Sequence, residues 1–191
     1  MRLLAACLLL ALAAPVLADA PAEIVQLQVE RGEEGVLLSA AVRFELPQVI
    51  EDALLKGIPM FFVMESVLYR DRWYWYDREV AHATRHMRLS YQPLTRRWRL
   101  TISPTVIGNS GVALGQTFDT DEEALAAVQR VSRWKIAEAS DVVAGERYNV
   151  EFRFRLDVSQ LARPFQIGAV GQADWNISVS RNHRLTIDGP R

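Results

Sequence analysis

The chain has 191 residues, half of them apolar, and a formal net charge of −1. That length suits one domain, since domains run to roughly 100–200 residues, and the near-neutral charge excludes a bulk nucleic-acid binder. The cations are lopsided: Lys56 and Lys135 are the only lysines among 22 basic side chains, a bias that suits bidentate and stacked contacts and that a high-GC genome also produces.

Residues 1–18 read as a secretory signal peptide. Arg2 supplies the positive start, Leu3 to Leu12 the apolar stretch, and Val16-Leu17-Ala18 acceptable small residues before cleavage at Asp19. The apolar run is short for a membrane anchor, which needs roughly 20 residues. Cys7 lies inside this stretch. Leu4-Ala5-Ala6-Cys7 has the form that precedes a lipidated cysteine, but it lacks the apolar segment upstream that a lipoprotein signal needs. The expected mature chain, 19–191, is therefore a single periplasmic domain without cysteine or a transmembrane segment. It can form no disulfide, thiolate nucleophile or sulfur-ligated metal site.

The mature chain begins with a strand over 22–30, in which Val25, Leu27 and Val29 alternate with Gln26, Gln28 and Glu30. A glycine-bounded turn, Arg31 to Gly35, leads to a second strand over 36–46 with Leu38, Ala40, Val42, Phe44 and Leu46 on one face. Pro47 opens a short helix over about 48–56, and Gly57 suits the left-handed position that ends it. From Ile58 to Met64 the run is apolar, which predicts a central strand buried on both faces. That strand leaves the core at Glu65 and reaches Arg70-Asp71-Arg72-Trp73-Tyr74-Trp75-Tyr76-Asp77-Arg78. Residues 80–92 read as a strand with Met87, Leu89 and Tyr91 inward and His86, Arg88 and Ser90 outward. After a turn at Gln92–Thr95, Trp98, Leu100 and Ile102 alternate with Arg97, Arg99 and Thr101.

Pro104 to Gly111 is a loop, and a short strand follows over 112–118. Thr120-Asp121-Glu122-Glu123 is a capping box before a helix to about Arg133, with Ala124, Leu125, Val128 and Val131 inward; Trp134 and Ile136 begin a strand-like stretch. Residues 147–158 show the cleanest alternation, with Tyr148, Val150, Phe152, Phe154, Leu156 and Val158 on one face. Leu161 to Gly171 reads as a loop, and 173–180 as a strand with Trp175, Ile177 and Val179 inward; the tail forms a further strand through Leu185 and Ile187. Many one-faced strands at hairpin spacing argue for a sandwich or barrel. The expected fold is mainly β: an antiparallel β-sandwich, immunoglobulin-like, with two short inserted helices.

Several blocks resemble a secreted proteobacterial family known as domain of unknown function 4390. They are Ala53-Leu54-Leu55-Lys56-Gly57-Ile58-Pro59, Tyr69-Arg70-Asp71-Arg72-Trp73-Tyr74-Trp75, Leu89-Ser90-Tyr91 with Leu94-Thr95, and Phe118 with Glu123-Ala124-Leu125. Further on come Arg155 to Leu161, Pro164-Phe165-Gln166 and Asp174-Trp175. The resemblance runs in order along nearly the whole mature chain. It implies an exported, periplasmic protein and supplies no activity, cofactor or site residues. Members are often encoded beside a membrane sensor kinase of the nitrogen-regulation type, which implies a signalling-accessory role. The chain departs from the pattern at Ser178 to Asn182, where a second tryptophan is missing.

Four constellations bear on chemistry. His82 and His86 would share a helix face, but their neighbours favour a strand, where four residues span about 13 Å, too far for one ion; no metal site and no cofactor is expected. Ser110, in Gly108-Asn109-Ser110-Gly111, reads as a turn serine, and no G-x-S-x-G is present. Asp71 and Asp77 flank the aromatic cluster as the carboxylates of a glycan-cleaving site would, yet each lies beside arginines that hold a carboxylate ionised. Between residues 70 and 99 there are eight arginines against three acids.

The expected binding surface comprises Arg70, Arg72, Trp73, Tyr74, Trp75, Arg78, Arg88, Arg97 and Arg99, residue types enriched at binding hot spots. Against it stands a ladder of arginines paired with acids such as Glu151 and Asp157, with Trp73 and Trp75 in the core. The functional expectation is a non-catalytic binding or accessory module. Its partner would be an envelope protein such as a membrane sensor kinase, or an anionic glycan or lipid. The alternative is a glycan-acting hydrolase using Asp71 or Asp77.

Overall fold

Alternating apolar residues and a few special backbone positions account for most of the architecture in a computed structural model, which describes residues 22–71, 77–107, 114–169 and 171–187. The first hairpin joins β1 (Glu23–Gly32) to β2 (Gly35–Arg43), with Gly32 opposite Gly35. Gly35 sits at φ +132°, and a Cβ there would come 2.1 Å from the Ala137 carbonyl oxygen, so only glycine fits. Ile24 is buried, and the register slips between it and Gln26. The bulge turns Val25 outward, to 47% exposure, instead of into the core as its spacing predicts. Leu38, Ala40, Val42 and Phe44 are buried.

The helix α1 (Gln48–Leu55) ends as its sequence requires. Gly57, at φ +83°, donates its N–H to the Leu54 carbonyl at 2.8 Å, and Ile58 donates to Ala53 at 3.0 Å. These are the two bonds of a glycine-terminated helix with an apolar residue after the glycine. The central strand β3 (Met60–Arg70) follows, and all residues from Met60 to Met64 are buried. Farther on, Ser66 and Leu68 stay on the core face, while Glu65, Val67 and Tyr69 are half-buried on the outer one. β4 (Arg78–Gln92), β5 (Arg97–Ser103) and β6 (Leu114–Phe118) continue as a meander.

Three boundaries differ from the sequence expectation. Thr120 Oγ1 accepts from the Glu123 N–H at 3.2 Å, as the capping motif predicts, but α2 (Asp121–Val128) stops before the expected end near Arg133. The chain enters β7 (Arg130–Glu138) instead, because the free edge of β2 offers it a ladder. Val131 is buried either way, so its burial cannot tell helix from strand. A bulge opposite Ser39 puts Arg133 at φ +48°, with its N–H donating to Ser39 Oγ at 3.0 Å. After β8 (Arg147–Leu156), the expected loop contains a third helix, α3 (Arg163–Ala169); Pro164 lies in its first turn, where the missing N–H costs nothing. The last strand, β9 (Ser178–Thr186), starts later than expected, and Ala173–Trp175 forms a 3₁₀ turn that carries Trp175 into the core. The separate strand expected in the tail is instead the end of β9, which runs on through Leu185 to Thr186, with Ile187 beyond it.

Two antiparallel sheets result, in the orders β1-β2-β7 and β6-β5-β4-β3-β8-β9. The chain crosses between them after β2, after β6 and after β7. This is the immunoglobulin-like arrangement, A-B-E against G-F-C-C′-C″, with one strand added at the C″ edge. Residues of both sheets form a single buried cluster. At its centre Phe44, Phe62 and Phe154 meet with ring centroids 5.1 to 5.8 Å apart. Tyr148, at the start of the F-equivalent strand β8, is buried, and its hydroxyl accepts from the Val143 N–H at 2.7 Å. That is the tyrosine corner of this fold class.

Candidate functional site

In an antiparallel pair, residues directly opposite each other point to the same side of the sheet. Met87 and Leu89 point into the core, so Arg88 between them points out, opposite Thr101. Arg99 lies opposite Ser90 and Arg97 opposite Gln92, on the same outer face. The structure thus brings Arg88, Arg97 and Arg99 together, as adjacency of these strands would require. Arg97 spends its charge on Asp119, at 3.2 Å. Neither Arg88 nor Arg99 has an acidic partner among the described residues. Arg99 reaches across to β6: a Cβ on Gly115 would lie 3.4 Å from its Nη2. Thr101 faces outward yet is only 5% exposed, which the long stems of the flanking arginines explain.

The remaining sequence-predicted residues lie elsewhere. Arg70 and Arg78 are opposite each other at the far end of β3. Arg88 stands opposite Phe61, so the two groups are nine strand positions apart, roughly 30 Å. Arg70 is ion-paired with Glu146, and that hydrogen bond raises its pKa. Arg78 is exposed. Arg72, Trp73, Tyr74 and Trp75 lie outside the described residues, as does Ser110. Asp71 is half-buried and its N–H donates to the Arg147 carbonyl at 3.1 Å; Asp77 is exposed. The expected ladder partners are taken within β8 and just past it: Glu151 pairs with Arg153 at 2.8 Å and Asp157 with Arg155 at 3.2 Å.

Sequence reasoning missed a carboxylate–histidine cluster on the same outer face. Glu65, Glu79, Glu151, His82, Tyr69 and Arg153 line a shallow cavity of about 230 Å³. His82 Nε2 lies 2.9 Å from Glu65 Oε1, and its Nδ1 lies 4.0 Å from Glu79. Burial, then the charges of Glu151 and Glu79, push the Tyr69 hydroxyl above its ordinary pKa. The available signal was Glu65, the first charge after an apolar run. His82 and His86 are both on β4, which is a strand, and no group of three or more histidines and carboxylates among the described residues could hold a metal ion.

Nearer the basic patch, burial pushes the His86 imidazole below its ordinary pKa. Burial pushes the Asp157 carboxyl up, but hydrogen bonds from Ser159 and Gln160 and the charge of Arg155 outweigh it, and the group titrates below the usual range.

A family model described as a domain of unknown function, DUF4390, matches residues 19–185. No curated protein and no solved structure matches the chain. Among the described residues, no helix is long and apolar enough to cross a membrane.

Proposed function

The chain belongs to the family described as domain of unknown function DUF4390, and on that footing we propose that it is an exported, non-catalytic binding module for an anionic component of the cell envelope. The component is bound over the outer face of the larger sheet. The observation that carries this reading is the placement of Arg88 and Arg99: they project from adjacent strands, on one face, without acidic partners among the described residues. Guanidinium groups projecting from one face suit phosphate or carboxylate oxygens, which each binds through paired N–H donors. The charged start and apolar run of residues 2–12 support export. A hydrolase built on Asp71 or Asp77 is the competing reading, and no geometric observation favours it.

The test compares residues 19–191 with the Arg88→Ala, Arg99→Ala double variant. Each is assayed for binding to phosphatidylglycerol vesicles, to phosphatidylcholine vesicles and to a purified sulfated glycan, at low and physiological salt. The anionic ligands are expected to bind the wild type, more weakly as salt rises, and roughly tenfold or more weakly after loss of both guanidinium groups. Equal affinity of the double variant, or no anionic ligand bound at all, removes the assignment.

A further inference from the structure

On the core side of the strands that carry Arg88 and Arg99, a cleft of about 350 Å³ opens between α1 and α2, within the size range of ligand pockets, roughly 300–1,000 Å³. Its floor is Leu89 and Trp98, and its walls include Leu55 from α1 and Leu125 from α2. Leu55 is 53% exposed. Four carboxylates stand around it, Glu45, Glu51, Asp121 and Glu122, and no arginine, lysine or histidine lines it. None of the four is ion-paired among the described residues, in a chain where arginine is abundant.

Helix dipoles account for acids in the first turns of α1 and α2. They do not account for Glu45, which precedes Pro47 in the connection to α1, or for the leucine side chains left open between the acids. We propose that this cleft docks a segment of another polypeptide that carries one or two large apolar side chains flanked by arginine or lysine. The apolar side chains would cover Leu55 and Trp98, and the flanking cations would meet the carboxylate rim. An uncharged segment would leave the four carboxylates to repel one another, and an acidic one would add to that repulsion.

The probe is a synthetic helical peptide with leucines at i, i+3, i+4 and i+7 and arginines elsewhere. One control replaces the arginines with glutamates, and a second replaces the leucines with serines. Binding is read by calorimetry and by the NMR shift of the Trp98 indole N–H. The leucine–arginine peptide is expected to bind, to move the Trp98 signal, and to weaken roughly tenfold when Glu45→Lys and Glu122→Lys are combined. Both positions are exposed, so the fold should survive, and an unchanged amide spectrum checks it. The proposal falls if either control peptide binds as tightly, if Trp98 does not respond, or if the charge-reversed variant keeps its affinity. It falls equally if decylguanidinium occupies the cleft and the peptide does not, since the site would then take a small amphiphile.

Discussion

Arg85 gives the sharpest test of how the two faces of β4 were assigned. It lies opposite Met64, a residue wholly buried in the core, and between Ala83 and Met87 along its own strand. Its side chain therefore enters the space between the sheets, while its neighbour His86 is on the outer face. The Arg85 Nε is buried without an acceptor, as is the hydroxyl of Ser66. Burial pushes the guanidinium below its ordinary pKa. A buried donor left unsatisfied costs about 1–3 kcal/mol, and Arg85→Met removes the donor while keeping an unbranched apolar stem.

The expected result is a gain of about 1–2 kcal/mol. For a chain of this size that is a rise in Tm of roughly 2–8 °C, at about 2–4 °C per kcal/mol. The assay is thermal unfolding followed by circular dichroism, with urea midpoints as a second measure. Arg88→Met is the matched control on the outer face of the same strand; the half-buried side chain there keeps its apolar stem, and the change should stay within about 0.5 kcal/mol of wild type. A lower Tm for Arg85→Met, with the control unchanged, would refute the argument that Nε goes unpaired.

Three further perturbations test other parts of the structure. Tyr148→Phe removes the acceptor for the Val143 N–H and should lower stability by about 1 kcal/mol without changing the amide spectrum; an unaltered Tm denies the corner a structural role. The Asp157 carboxyl is held below its ordinary pKa, so its contribution is complete above about pH 5 and is lost as pH falls through the folded value. The gap in Tm between wild type and Asp157→Asn should therefore shrink from pH 6 to pH 3, and a constant gap contradicts the assignment. Burial holds the His86 imidazole below its ordinary pKa. The unfolded chain then takes up the extra proton below about pH 6.5 and stability falls toward pH 5; His86→Leu should flatten that decline in urea midpoints, and an unchanged slope refutes it.

Most of the fold was legible because local signals agreed with one another. In β8, Tyr148, Val150, Phe152, Phe154 and Leu156 are all buried, and nothing in the segment competes with period 2. Gly57 and Thr120 marked helix ends through the bonds they make. The errors fall where one pattern satisfies two structures. Val131 continues the apolar face of α2 and also faces inward from β7, and the choice was made by the unpaired edge of β2, which no local pattern reveals. Trp175, Ile177 and Val179 alternate as a strand would, yet Trp175 belongs to a turn. Val25 was misassigned for a similar reason: a bulge adds one residue and reverses the phase of what precedes it.

The site was less legible than the fold because its geometry depends on distance along a strand. Counting charges from 70 to 99 merges both ends of β4 into a single surface. Arg70 and Arg78 stand beside the segment joining β3 to β4, whereas Arg88, Arg97 and Arg99 stand beside the turn joining β4 to β5. A strand as long as Arg78–Gln92 holds those two ends far apart. Their separation along β3, roughly 30 Å, exceeds the Debye length of about 8 Å at physiological salt several times over. The two groups cannot share one small anionic ligand, and their charges do not reinforce each other. Arg70 is further withdrawn by its ion pair with Glu146. Substitutions in the two groups should therefore act independently, as distant sites do, and of the arginines the sequence pointed to, those that share one outer face are Arg88, Arg97 and Arg99 on β4 and β5.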